Sequence, residues 1–358
     1  MKHTAVGIFV YAGGFSVGMS KKFNILAHLE NTPAYASKTS QLNFPNAPIF
    51  EGPSGWPKFQ PDVVYSNPPC AVFSCLGKNF GKKDQWRGDP RLNDWRDAVE
   101  YAIGSGAKAF VGESVPQLLT HGREFAAEQS RKLMDAGYAV WWYRHDLKFH
   151  GMPQQRRRVM ILASKYQLEF PEANTDRKLI KQVLDDAHKT DHYCECADLE
   201  AELYQYVPEW GGFAESYDKL FKDQLKGKGR PRFVTHKIGY EGICGTVAGD
   251  YMFHPEQPRK LTVEEHAALC GYPPDYQWHF DGSRYQYGRT VSEIARAVMP
   301  PVATAVAHVL HKGLERAEPA KTGRITLVTR WARSPRRSDL VPLCLEEDIT
   351  DDMLELTQ

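Results

Sequence analysis

Five side chains in this sequence are of types that do chemistry and stand where a chain presents such groups: Cys70, Glu113, Arg156, Arg158 and Glu30. Cys70 lies in residues 65–74, read Y-S-N-P-P-C-A-V-F-S, directly after the apolar pair Val63 and Val64. A short buried strand therefore ends in a rigid proline turn that presents one thiol at a sheet edge. A free thiol has a pKa of about 8.5, and its thiolate is a strong nucleophile even when sparsely populated. Taken alone, such a cysteine more often means a small apolar group packed after a turn. Glu113 follows a second apolar run, residues 108–112 (K-A-F-V-G), and Arg156 and Arg158 lie in the cationic stretch 153–164 (P-Q-Q-R-R-R-V-M-I-L-A-S). A thiol that can act as a nucleophile, a carboxylate and a dense cationic turn, each beside the end of an apolar run, mark where chemistry is expected.

The elements that must position these groups follow from the hydrophobic pattern. Residues 5–10 (A-V-G-I-F-V) form a buried parallel strand. Tyr11, Ala12, Gly13 and Gly14 then turn the chain into a short helix near residues 16–21. A glycine turn between a first strand and a helix lets a nucleotide-like ligand approach the backbone, although paired glycines are more often only a turn. Residues 23–29 are a second strand ending at Glu30, the place where an acid commonly holds ribose hydroxyls. Residues 31–61 are rich in Pro, Asn and Ser and predict a crossover with little regular structure. Helices are expected at 94–103 and 123–136, and strands at 108–112 and 139–143, with a last strand after the 153–158 turn. Strands alternating with helices over the first 165 residues predict an open α/β sheet whose site lies at the carboxyl ends of its strands. Cys70 and Glu113 both sit at such ends.

The remaining segments are less regular. Residues 77–91 are long, basic and glycine-punctuated, and Lys78, Lys82, Lys83, Arg87 and Arg91 there, with the nearby Ser74, are candidate phosphate contacts; Trp86 is a candidate wedge or stacking residue. Residues 166–237 carry mixed charge without strand–helix alternation, as a separate small module would, and Lys226, Lys228, Arg230 and Arg232 suit phosphate contacts from a loop. His188, His192, Cys194 and Cys196 are zinc-ligand types, but C-x-C is tighter than usual for zinc and no metal is expected. Residues 259–273 show a helix start at Thr262 and a glycine stop at Gly271, and 291–312 is a second helical run interrupted by Pro300 and Pro301. From Leu314 the tail is basic through Arg337 and acidic from Glu346, and no motif is legible in it.

The whole chain bounds the answer. Its 358 residues can bury a large core in about two domains, and 42% apolar with 25% charged residues is ordinary for a globular protein. No apolar run approaches the roughly 20 residues that span a bilayer. Seven irregularly spaced cysteines argue against a disulfide framework. The N-terminus runs straight into a strand with no cleavage site. Together these predict an intracellular protein in a reducing compartment, where Cys70 stays a thiol. The net charge of +1 predicts no partner by itself.

The ordered set resembles the DNA (cytosine-5) methyltransferase family, whose members carry F-x-G-x-G-G, P-C-Q-x-F-S, E-N-V, Q-x-R-x-R, a variable target-recognition region, R-x-L-T-x-x-E-x-x-x-x-x-G-F-P and G-N-A-V-P-P. In this sequence the corresponding residues are 9–14, 69–74, 113–115, 154–158, 259–273 and 295–301. The resemblance implies a class I S-adenosylmethionine-dependent (Rossmann-like) α/β sheet with a small inserted target-recognition domain. It divides the chain into a catalytic and cofactor-binding domain at 1–165, a recognition domain at 166–250, helices returning to the catalytic domain at 251–314, and a tail at 315–358. It implies that Cys70 attacks C6 of a flipped-out cytosine, that Glu113 holds N3 and the exocyclic amine, that Arg158 holds O2, and that Arg156 supports the same pocket. S-adenosylmethionine is the implied cofactor, with Phe9, Gly13 and Gly14 at its turn, Glu30 at its ribose and Arg296 beside it. Ser74, Lys78, Lys82, Lys83, Arg87, Arg230 and Arg232 become DNA contacts. The implied partner is double-stranded DNA, bound by a monomer with no membrane association, in the cytoplasm of a bacterial or virus-infected cell.

Four positions depart from the family pattern: Tyr11 replaces a glycine, Ala71 a glutamine, Ser114 an asparagine, and Ala295 with Arg296 replaces Gly-Asn. Arg296 puts a permanent cation where the family has a neutral amide. It pairs with Glu113, another acid or a DNA phosphate, or else it selects a carboxylated S-adenosylmethionine and makes the enzyme a cytosine-5 carboxymethyltransferase, since guanidinium binds carboxylate bidentately. A catalytically silent DNA-binding module and an RNA cytosine-5 methyltransferase are the other readings.

Overall fold

The computed structural model describes residues 2–31, 38–74, 86–172, 176–187, 198–220, 235–279, 283–323 and 325–330. In chain order its elements are β1 (Thr4–Ile8), α1 (Gly14–Met19), β2 (Asn24–Glu30), α2 (Lys38–Asn43), β3 (Ile49–Glu51), β4 (Val63–Ser66), α3 (Leu92–Gly104), β5 (Ala109–Ser114), α4 (Arg123–Asp135), β6 (Ala139–Asp146) and β7 (Arg157–Ser164). They continue as α5 (Ile180–Asp186), α6 (Asp198–Leu203), α7 (Phe213–Leu220), β8 (His236–Lys237), β9 (Met252–Phe253), α8 (Val263–Leu269), α9 (Arg284–Arg296), α10 (Pro300–Arg316) and β10 (Ile325–Arg330).

Eight strands form one sheet in the order β10-β6-β7-β5-β4-β1-β2-β3. Every neighbouring pair is parallel except those made by β7, which runs antiparallel to both β5 and β6. Alternation along each strand divides the apolar side chains between two cores. Ala5, Val63, Tyr65, Val111, Trp141, Tyr143, Met160 and Leu162 face a core shared with α1, α8, α9 and α10. Val6, Ile8, Val64, Phe110, Val140, Trp142, Val159 and Ile161 face a core shared with α3 and α4. Both faces are covered, which explains why these strands read as continuous apolar runs. A third, separate cluster joins Leu199, Leu203, Tyr204, Val207, Phe213, Tyr217 and Phe253 in the region between β7 and α8.

The expected α/β sheet is present, and three expectations about its parts are corrected. Residues 31–61 hold α2 and β3, the latter paired with β2 over only three residues, too short for periodicity to reveal. The run expected at 291–312 is interrupted at the prolines as expected but starts earlier: α9 begins at Arg284, and Pro300 opens α10 at a first-turn position where its missing N–H costs nothing. The strand after the arginine cluster is not the last, because β10 adds itself to β6 from beyond α10. The helix start at Thr262 is as expected. Its hydroxyl accepts from Glu265 N (3.1 Å) while the Glu265 carboxylate accepts from Thr262 N (2.8 Å), and Gly271 ends the element with φ +80°.

Candidate active site

The carboxyl edge of the sheet gathers the chemistry-bearing residues. β4 ends at Ser66, and the chain continues past it with Asn67 N donating to Ile8 O (3.0 Å). Pro68 and Pro69 then carry it to Cys70, whose carbonyl accepts from Phe73 N (3.0 Å) and Ser74 N (3.2 Å), closing a turn under the thiol. Cys70 is half-buried and unoxidised. Glu113 lies in the last turn of side-chain alternation of β5, 2% exposed, and Arg158 opens the antiparallel β7 at the same edge. Arg158 Nε and Glu113 Oε1 are 3.2 Å apart. The antiparallel direction of β7 is what allows a residue at its start to face one at the end of β5.

The electrostatics follow from this burial. The Glu113 carboxyl is pushed up to about 7, chiefly by desolvation, with Arg158 and Arg156 pulling against it. The Cys70 thiol is also raised, first by burial and then by the charge of Glu113, while the two arginines oppose the shift. Thiol, carboxyl and guanidiniums are thus close enough for each charge to act on the others.

Arg156 behaves differently from Arg158. It is 2% exposed, and its guanidinium donates to the carbonyls of Val247 (3.2 Å), Ala295 (2.5 Å) and Ala297 (3.3 Å). Its own N–H donates to Asp146 Oδ1 (2.9 Å). Burial and Arg158 push its pKa down to about 10. Gln154 makes a parallel set of links, donating to Leu269 O (2.8 Å) and accepting from Val247 N (3.2 Å). Sequence reasoning missed Asn67 entirely: its side-chain amide donates to Arg296 O (2.8 Å), so Asn67 and Arg156 together cap the carbonyl end of α9. The available signal was a polar amide standing between a buried strand and two prolines.

The expected cofactor residues converge at the ends of β1 and β2. Phe9 and Tyr11 both adopt left-handed backbone, φ +58° and +50°, and both are buried. A non-glycine residue there is strained, and at Tyr11 the ring is retained in the core instead of the glycine the family carries. Gly13 has φ +77°. At Gly14 a Cβ would meet Val298 O at 2.2 Å and Tyr272 Oη at 2.5 Å, so this glycine is also needed for α1 to approach the α9–α10 junction. Glu30 is fully buried; its Oε1 accepts from Val10 N (2.9 Å), and its Oε2 is buried with no hydrogen-bond partner among the described residues. Desolvation raises its pKa well above the usual carboxylate range. An acceptor oxygen left in that state fits a ligand that brings hydroxyl donors, as a ribose does.

Among the expected DNA contacts, Arg87 forms an ion pair with Glu124 (2.6 Å) and lies over the Trp86 ring. Trp86, the candidate wedge or stacking residue, is buried against Phe73, with ring centroids 5.9 Å apart. Ser74 lies at the end of the Cys70 turn. Lys78, Lys82, Lys83, Lys226, Lys228, Arg230, Arg232 and the cluster His188, His192, Cys194 and Cys196 lie outside the described residues. Arg296 is exposed at the end of α9.

A profile of the C-5 cytosine-specific DNA methylase family matches residues 4–312. The chain belongs to that family. Among characterised relatives it is 28% identical over 332 residues to the type II methyltransferase M.NgoMIV of Neisseria gonorrhoeae, covering 88% of this chain and 99% of that one. It is 26% identical over 336 residues to the type II methyltransferase M1.HphI of Haemophilus parahaemolyticus, covering 87% of each. Solved structures share the fold: DNMT2 of Spodoptera frugiperda, with TM-score 0.60 and 13% identity over 86% of this chain and 99% of that one, and the methyltransferase EhMeth of Entamoeba histolytica, with TM-score 0.60 and 15% identity over 88% and 99%. The family implies S-adenosylmethionine as methyl donor and DNA as substrate. Within the described residues no helix is long and apolar enough to cross a membrane, and no cluster of metal-ligating side chains is found.

Membership makes the orphaned oxygen of Glu30 testable. Glu30→Gln disturbs the acceptor that faces the ligand, a hydrogen bond of about 0.5–1.5 kcal/mol, so Kd for S-adenosylhomocysteine, measured by titration calorimetry, rises roughly 2- to 10-fold. Because burial disfavours the charge, the melting temperature of the free protein does not fall. Unchanged affinity would remove Glu30 from the cofactor site.

Proposed function

We propose that the protein methylates C5 of a cytosine flipped out of duplex DNA, with Cys70 as the nucleophile. The observation that carries this reading is the Glu113–Arg158 pair beside Cys70, in a chain of the cytosine-5 DNA methylase family. Carbon 5 of cytosine is a poor nucleophile, so covalent addition divides one hard step into easier ones. The Cys70 sulfur bonds to C6, and Glu113 gives its proton to N3, so the ring becomes an enamine with electron density at C5. Arg158 keeps Glu113 oriented and faces O2. S-adenosylmethionine supplies the methyl group, which leaves on the attacking C5 electron pair. Loss of the C5 proton to solvent then expels Cys70 as thiolate and restores the ring, and Glu113 recovers its proton from N3.

Arg156, Gln154 and Asn67 act by holding the residues around them. In this reading the region between β7 and α8 reads sequence, Phe9, Gly13 and Gly14 line the cofactor turn, and Ser74, Lys78, Lys82, Lys83, Arg87, Arg230 and Arg232 contact DNA. The work is done by a monomer in the cytoplasm, as DNA modification.

The pH dependence has a definite sign. Addition needs thiolate and protonated Glu113 together, and that state holds the same number of protons as thiol with carboxylate. Their ratio does not change with pH while the pair holds one proton. With Glu113 near 7 and the thiol higher, kcat/KM for DNA rises about tenfold per pH unit below about 7 and is flat above it, up to the thiol pKa. Glu113→Gln abolishes the break near 7. A profile that declines as pH rises from 6 to 8 would contradict the assignment.

A second reading is kept by one observation: no acid partner of the exposed Arg296 is found among the described residues, and Glu113 is engaged by Arg158. A cation left beside the cofactor motif suits a donor carrying a carboxylate, which would place a carboxymethyl group on C5. DNA incubated with S-adenosylmethionine or its carboxylated form, digested to nucleosides and weighed by mass spectrometry, separates the two. Methylcytosine under both conditions ends the carboxymethyl reading.

A further inference from the structure

Trp210 is a large apolar side chain that the fold keeps in solvent. It stands between α6 and α7, and 43% of it is exposed. Its backbone is left-handed, φ +64°, a conformation that a bulky residue holds only where its surroundings enforce it. Hydrogen bonds beside it supply that constraint: Gly211 N donates to Pro208 O (2.9 Å), and Lys237 N donates to Gly211 O (3.0 Å). The indole itself rests on glycines. A Cβ at Gly239 would meet Trp210 Nε1 at 2.6 Å and Cε2 at 2.8 Å, and one at Gly242 would meet Cζ2 at 3.4 Å. The ring edge that carries its N–H donor therefore lies against the chain, and the edge turned away from it is hydrocarbon. Such an edge reads no hydrogen-bonding groups, but it packs well on an aromatic face.

The glycine seat has a fixed place in the fold. Cys244 follows Gly242 by two residues, at most about 7 Å along the chain. Its N donates to Pro153 O (2.9 Å), and its carbonyl accepts from Gln155 N (2.9 Å). Thr246 Oγ1 then donates to Gln155 O (2.8 Å). Residues 153–156 lead into β7 at the carboxyl edge of the sheet, the edge that carries Cys70, Glu113 and Arg158. Backbone hydrogen bonds thus tie the seat of Trp210 to the edge where a target base has to be brought.

We propose that the outer edge of Trp210 packs against a base of the bound duplex, as an apolar wedge beside the flipped cytosine. This rests on the reading of the protein as an enzyme that flips cytosine out of DNA. Taking a base out of the stack uncovers the faces of its neighbours, and apolar side chains commonly fill such openings. A flexible side chain would lose much of the gain in being ordered, whereas the constrained backbone and glycine seat hold this indole in place beforehand. The contact has a measurable signature. It neutralises no phosphate, so it adds affinity without adding to the dependence on salt.

The test uses the full-length chain carrying Trp210→Ala, Trp210→Phe or Gly239→Ala, with a long random-sequence duplex as substrate at several salt concentrations. Trp210→Ala lowers kcat/KM for the duplex by roughly 5- to 150-fold, the range for losing one base–aromatic stack. It melts like the parent, and its plot of log kcat/KM against log salt runs parallel to the parental one. Trp210→Phe, which keeps an aromatic face, retains most of the parental value. Gly239→Ala, which keeps the indole but displaces it, falls between. A Trp210→Ala variant with parental kcat/KM overturns the proposal. So does a loss that comes with a shallower salt slope, the mark of a charge contact, or with a lower melting temperature, the mark of a packing role. A parent that methylates no cytosine in DNA fails the underlying reading and this proposal with it, whereas a methylating parent with an indifferent Trp210→Ala variant refutes the wedge alone.

Discussion

A guanidinium enclosed by protein must find acceptors for its five N–H donors, and the way Arg156 meets that demand ties the molecule together. Its partners are three backbone carbonyls from two places in the chain that are far apart in sequence: Val247, where the region after β7 returns, and Ala295 and Ala297, where α9 ends. Asn67, three residues before Cys70, takes the carbonyl between the last two. Carbonyls at a helix end carry partial negative charge and lack partners within the helix, so a cation and an amide there satisfy both sides. The result is that the Cys70 turn, the end of α9 and the returning chain share one buried hydrogen-bond set. Displacing any of them leaves polar groups unpaired in the interior, at about 1–3 kcal/mol each.

The division of labour between two arginines one residue apart follows from strand geometry. Arg156 precedes β7 and turns inward to the carbonyls. Arg158, inside β7, shares the face of Glu113 and meets it at 3.2 Å. That single ion pair does not fully offset desolvation, and the carboxyl stays near 7. A group poised there gives or takes a proton with little driving force in either direction, which suits transient protonation of a ring nitrogen.

Much of this was legible beforehand, for physical reasons. Strands buried on both faces read as plain apolar runs, and β1, β2, β4, β5, β6 and β7 were placed within a few residues because of it. That Cys70, Glu113 and Arg158 meet at one edge was legible because each lies beside the end of such a run. β3 was not, since three residues on an edge carry no period. β10 was not either: its residues I-T-L-V-T-R alternate well enough for a strand, but its place depends on β6 offering an open edge, a tertiary fact. The same holds for Asn67 and for the carbonyl contacts of Arg156, where the partner is backbone and no side-chain pattern announces it. At Gly14 the sequence pointed to a ligand turn, and the packing of Val298 and Tyr272 adds a second requirement for the missing side chain.

The central claim is that Cys70 forms a bond to the cytosine ring. Its most direct test is a long random-sequence duplex in which 5-fluorocytosine replaces cytosine on one strand, incubated with the protein and S-adenosylmethionine and run on a denaturing gel. Fluorine at C5 cannot leave as a proton does, so the adduct persists once the methyl group has been transferred. The account predicts a protein–DNA band that requires the cofactor, is absent from Cys70→Ser and maps by peptide mass to Cys70. A protein that methylates cytosine in ordinary DNA yet gives no such band, or whose adduct maps to another residue, would contradict it.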